Sequence, residues 1–134
     1  MVEVDLDVHN LKPGDDHYMA YVGPPDQYDF MGATQFRLLS TLGLRSKHRL
    51  LDVGCGSLRA GRLILNYLDK YNYYGIEPNK WLIEDAISNV IGEDIVKIKK
   101  PTFDHNEQFN TDVFSKKFDF IVAQSIFSHC GSDI

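Results

Sequence analysis

The chain has 134 residues, 43% of them hydrophobic and 25% charged, with a formal net charge of -5. That is one domain's worth of sequence with apolar material for a core, which excludes a highly charged disordered chain, and the acidic balance argues against a main task of neutralising nucleic-acid phosphates. Cys55 and Cys130 make no disulfide framework, no apolar run reaches the length of a membrane span, and a start carrying Glu3, Asp5 and Asp7 is no signal peptide, so the expectation is a cytoplasmic protein with no nucleic-acid or membrane partner.

Residues 1–25 read as an irregular lead segment, because Pro13-Gly14-Asp15-Asp16 and Gly23-Pro24-Pro25 punctuate it. Tyr18 and Tyr21 either pack that segment down or help to cover a ligand pocket. From about Asp26 to Leu42 the spacing predicts a helix, with Phe30, Leu38 and Leu42 on one stripe and Met31, Gln35 and Leu39 on another. Gly43 is its stop. The basic run Arg45, Lys47, His48 and Arg49 reads as a solvated loop.

Arg49 to Val53 is a short buried strand, and Gly54-Cys55-Gly56 turns the chain. Ser57 is placed to cap a helix that runs to about Leu68. Tyr73 to Glu77 is the second strand, followed at Pro78 by a turn or helix start, then by a helix carrying Trp81, Ile83, Ala86, Ile87 and Val90. Ile95-Val96-Lys97-Ile98 alternates and reads as the third strand. Pro101 to Phe114 is irregular or briefly helical. Phe118 to Ala123 is the fourth strand, apolar enough for a strand covered on both faces. The alternation predicts one α/β domain over residues 1–134, a Rossmann-like parallel sheet with flanking helices.

The chemistry concentrates between Leu51 and Glu77. A strand ending in Gly54-Cys55-Gly56 lets a ligand approach bare backbone, and the following helix start offers N–H groups. Glu77, at the end of the next strand, can accept hydrogen bonds from ribose hydroxyls. These features point to a nucleoside-containing cofactor. The dinucleotide fingerprint Gly-x-Gly-x-x-Gly fails because Arg59 stands at its third position. The phosphate-binding loop fails because Arg62 and Leu63 follow Gly61 where Lys and Ser or Thr are required. Asp52, two residues before Gly54, would repel a pyrophosphate but complements a cation.

Asp52-x-Gly54-x-Gly56 with Glu77 resembles the first two motifs of class I S-adenosylmethionine-dependent methyltransferases, in particular the N-terminal part of a bacterial small-molecule type. The resemblance implies S-adenosylmethionine as cofactor, with Asp52, Gly54, Cys55 and Gly56 near its methionine part, Glu77 on the ribose and Pro78 beside the adenine. Ser57 takes the place of the usual third glycine. Asp104, Asn106 and Phe109 are candidates for the adenine edge, and Gln124 for the edge facing the sulfonium. His129 is a candidate general base, against a plain capping or packing role, and Cys130 reads as inert. Tyr21 to Leu44 is similar to an N-terminal helix that closes the cofactor pocket, which makes Gln35 and Tyr28 further candidates. No metal site is expected.

No Pro-Pro-aromatic or Pro-Cys signature of nucleobase methyltransferases follows the fourth strand, so the expected acceptor is a small molecule, glycan or lipid. The family domain has seven strands in the order 3-2-1-4-5-7-6, and this chain supplies about four, in the order 3-2-1-4. The expectations are therefore a C-terminally truncated domain, a strand-four edge that either pairs two copies as a homodimer or is covered by the N-terminal segment, and, as the alternative to catalysis, a non-catalytic S-adenosylmethionine-binding scaffold.

Overall fold

The computed structural model describes residues 28–123. Helix α1 spans Tyr28–Thr41, strand β1 Leu50–Val53, helix α2 Gly61–Tyr67 and strand β2 Tyr73–Ile76. Helix α3 spans Lys80–Ala86 and runs into a π-helical turn at Ile87–Ile91; helix α4 follows at Glu93–Lys99. Strand β3 spans Thr102–Asp104, a 3-10 turn Thr111–Phe114 and strand β4 Phe120–Val122.

The strands form one sheet in the order β3-β2-β1-β4. Every pairing is parallel: Leu50 lies opposite Tyr73 and Phe120, and Tyr74 opposite Thr102. Parallel neighbours need crossover connections, which α2 and the α3–α4 segment supply between successive strands. The expected Rossmann-like order 3-2-1-4 is what the sheet shows.

Side chains alternate across each strand. Leu50 and Tyr73 face a core shared with Leu39, Leu44, Leu58, Ile64, Leu65, Leu68, Ile83 and Ala86. Leu51, Val53, Tyr74 and Ile76 face the other way, under Phe109, Phe114, Phe118 and Ala123. Tyr74 meets Phe114 and Phe118 edge-on, each at 5.1 Å between ring centroids.

Four elements differ from the sequence reading. The segment Ile95 to Ile98 is helical, within α4, and the third strand is Thr102–Asp104. Four alternating residues do not separate strand from helix; Glu93 and Asp94 at the start and Lys97 and Lys99 at the end suit a helix dipole. Ile91 and Ile95, four apart, pack on the core while Ile98 is exposed.

Helix α2 starts at Gly61, and its capping position Ala60 makes no side-chain cap, so Ser57 is no cap. A helix cannot start at Ser57 because the chain is left-handed on either side of it, at Gly56 and Leu58, with φ of 58° and 65°.

In α1 the buried residues are Tyr28, Gly32 and Leu39, and the stripe of Phe30, Leu38 and Leu42 faces outward. On β4, Phe120 and Val122 pack on the core but Ile121 is 63% exposed. The aromatic cluster centres on Tyr74, two strands away, so β4 is not covered on both faces among the described residues.

Candidate functional site

The carboxyl ends of three adjacent parallel strands each carry an acid. Asp52 stands near the end of β1, Glu77 follows β2, and Asp104 ends β3. An open α/β sheet offers its ligand crevice at this edge.

Asp52 is 8% exposed, and Tyr73 Oη, on the same face of the neighbouring strand, donates to its Oδ2 at 2.7 Å. Burial raises the Asp52 pKa to about 6; the Glu77 charge adds to the rise, while the Tyr73 hydrogen bond and Arg59 oppose it. Burial also pushes the Cys55 thiol up, helped by Asp52 and Glu77, so this cysteine is no thiolate nucleophile.

After β1 the chain is left-handed at every second residue: Gly54, Gly56 and Leu58 have φ of 73°, 58° and 65°. The residue in the place of a third glycine is therefore Leu58 and not Ser57. Leu58 accepts the strained conformation while its side chain is fully buried in the core. Ser57 serves elsewhere: its carbonyl accepts from Tyr28 Oη at 3.0 Å, and its hydroxyl donates to the same oxygen at 3.3 Å.

The N–H groups of the turn are tied to the second strand. Gly54 and Cys55 donate to the Ile76 carbonyl at 2.8 and 3.1 Å. Gly56 N–H donates to Glu77 Oε1 at 2.9 Å. Glu77 Oε2 accepts from the Asn79 backbone and side-chain amides at 2.9 and 3.1 Å. Thus Glu77, 7% exposed, is the clasp between the glycine turn and the start of α3. Its own N–H donates to the Asp104 carbonyl at 3.0 Å, and His105 Nδ1 donates to the Glu77 carbonyl at 2.7 Å.

A cavity opens beside the turn, lined by Gln35, Leu39, Asp52, Gly54, Cys55, Gly56, Arg59, Ala60, Ile64 and Val122. Helix α1 forms one wall. It is pinned there by the Tyr28–Ser57 bonds, by the Arg62–Asp29 ion pair at 2.7 Å, and by Gly32, where a Cβ would strike the Arg59 carbonyl.

The family model of a methyltransferase domain matches residues 51–134. The chain belongs to the methyltransferase domain family. In fold it is similar to the solved structure of magnesium protoporphyrin IX methyltransferase from Synechocystis PCC 6803 with bound SAH. That likeness has a TM-score of 0.58 at 14% identity and covers 91% of this chain. The chain spans 52% of that protein's length. A comparison with curated protein sequences finds no match.

Within this methyltransferase domain the structure brings Asp52, Gly54, Cys55, Gly56 and Gln35 to one cavity, with Glu77 joined to it through Gly56. Pro78 lies half-buried in the turn after Glu77. Asp104 and Asn106 sit at the β3 edge, outside the cavity lining; there the Asn106 side-chain and backbone amides hold the Asp104 carboxyl below its ordinary value. Phe109 packs beneath the opposite face of the sheet. Tyr28 buttresses the turn and does not line the cavity. Gln124, His129 and Cys130 lie outside the described residues.

Sequence reasoning missed Arg59 and Tyr73. Arg59, 8% exposed, lines the cavity although its only sequence signal was to interrupt a glycine fingerprint. Tyr73 carried a usable signal: it lies two residues before Gly75, which pairs with Asp52, so strand alternation puts both side chains on one face.

Proposed function

We propose that this chain binds S-adenosylmethionine at the carboxyl ends of β1 and β2 and serves methyl transfer to a small-molecule, glycan or lipid acceptor. One observation carries the reading: two buried carboxylates, Asp52 and Glu77, flank a left-handed glycine turn in a methyltransferase domain. The residues fit the group. Asp52 is an anionic wall for a ligand whose reactive end is cationic and lacks phosphate. Glu77 Oε1 carries one described bond and retains a lone pair for a ribose hydroxyl. S-adenosylhomocysteine, what S-adenosylmethionine becomes after methyl transfer, is the ligand bound in the similar solved structure.

When bound, S-adenosylmethionine supplies an electrophilic methyl group on a sulfonium. The chain's residues orient it: Asp52 draws the cationic end, Gly54 and Gly56 allow close approach, and the α1 wall excludes water. Pro78 and Asp104 would border the adenine, and Gln124 would face the sulfonium. His129 would take a proton where the acceptor must lose one. The net charge of -5 favours an acceptor without a phosphate backbone. Pairing of two copies along the β4 edge belongs to the same proposal; a monodisperse monomer at all concentrations in light scattering would remove it.

Calorimetric titration with S-adenosylmethionine and with NAD tests the cofactor. The expected outcome is binding of the first alone. Binding of NAD alone would overturn the reading. Binding without methyl transfer to any acceptor class would favour the scaffold alternative.

A further inference from the structure

S-adenosylmethionine ends in an α-amino acid, so it brings a carboxylate as well as cationic groups. An anion placed near Asp52 needs a counter-charge. The glycine turn does not supply it: the N–H groups of Gly54, Cys55 and Gly56 are all donated to Ile76 and Glu77. Among the described residues lining the cavity, Arg59 is the one cation, and it is 8% exposed.

Its backbone is fixed on two sides. The Arg59 carbonyl accepts from Arg62 Nε at 3.0 Å and abuts Gly32 of α1. The left-handed residue Leu58 precedes it and sets the direction in which the chain leaves the turn. A guanidinium presents five N–H donors in a planar fork, the geometry that takes a carboxylate in two parallel bonds.

We propose that Arg59 binds the carboxylate of the cofactor's amino-acid end, so that Asp52 and Arg59 together read a zwitterion. This rests on the S-adenosylmethionine reading above. The pairing makes the cavity selective for an intact amino acid on the sulfonium.

The test is titration of the whole chain with S-adenosylmethionine and with its decarboxylated form. The unaltered protein should bind the intact cofactor at least about tenfold more tightly. Arg59→Gln should weaken the intact cofactor by roughly tenfold to a hundredfold and the decarboxylated one by less than about threefold, with Arg59→Lys between. Equal affinity of the unaltered protein for both ligands would overturn the role of Arg59 and needs no variant to fold. Equal weakening of both ligands by Arg59→Gln would overturn it too, as the mark of a structural residue. Failure of the unaltered protein to bind either ligand would instead overturn the cofactor reading itself.

Discussion

The two faces of the sheet are built from the same short strands and obey different rules. On one face Tyr74 packs with Phe114 and Phe118, and Leu51, Val53 and Ile76 complete an all-apolar cluster. On the other, the same strands place Asp52, Tyr73 and, beyond the turn, Arg59 and the left-handed Leu58 among apolar side chains. The first face buries no charged side chain in that cluster and stabilises by area and ring contact. The second holds a buried acid and a strained backbone, features that cost stability and make sense where a ligand binds. Substitutions on the two faces should therefore separate stability from binding.

The largest effect is expected on the apolar face. Tyr74→Ala removes a ring 7% exposed and should cost about 3–5 kcal/mol in denaturant unfolding, with ligand affinity of the folded fraction unchanged. Loss of affinity in the folded protein would erase the contrast. Leu58→Gly comes next. It relieves roughly 1 kcal/mol of left-handed backbone but deletes a fully buried side chain, for a net loss of about 2–4 kcal/mol. A more stable Leu58→Gly protein would mean that backbone strain outweighs packing at the turn.

Asp52→Asn should act with the opposite sign. The folded-state pKa of about 6 lies above the ordinary carboxylate value of 3.8, so the folded protein binds the proton more tightly and loses stability as pH rises through that window. Removing the charge should stabilise the protein by about 1–2 kcal/mol at pH 7 while weakening cofactor binding. Affinity for S-adenosylmethionine should likewise fall as pH drops below about 6 in the unaltered protein and stay flat in Asp52→Asn. The smallest effect is expected on β4: Ile121→Ser, at a side chain 63% exposed among the described residues, should stay within about 0.5 kcal/mol in thermal unfolding.

The strands of the site were legible because their signals are local and redundant. Asp52-x-Gly54-x-Gly56 follows an apolar run, and Glu77 ends the next. The sheet order followed from the family resemblance. The segment from Ile95 to Asp104 was not legible, because four alternating residues fit α4 as well as a strand, and the actual β3 is three residues long behind Pro101. Ser57 was misread for a similar reason: its capping chemistry is real, but left-handed Leu58 delays the helix to Gly61, which no propensity scale anticipates from a leucine. Arg59 was hidden because burial of a cation depends on Asp52 and α1, both distant in sequence.

On the proposed function, Asp52 is held in the apolar interior for binding and not for stability. Calorimetric titration of the unaltered chain and Asp52→Asn with S-adenosylmethionine, paired with their unfolding curves, tests it most directly. Affinity should fall by roughly tenfold or more while stability holds or rises. Equal affinity in both proteins, or a variant that loses stability along with affinity, would contradict it.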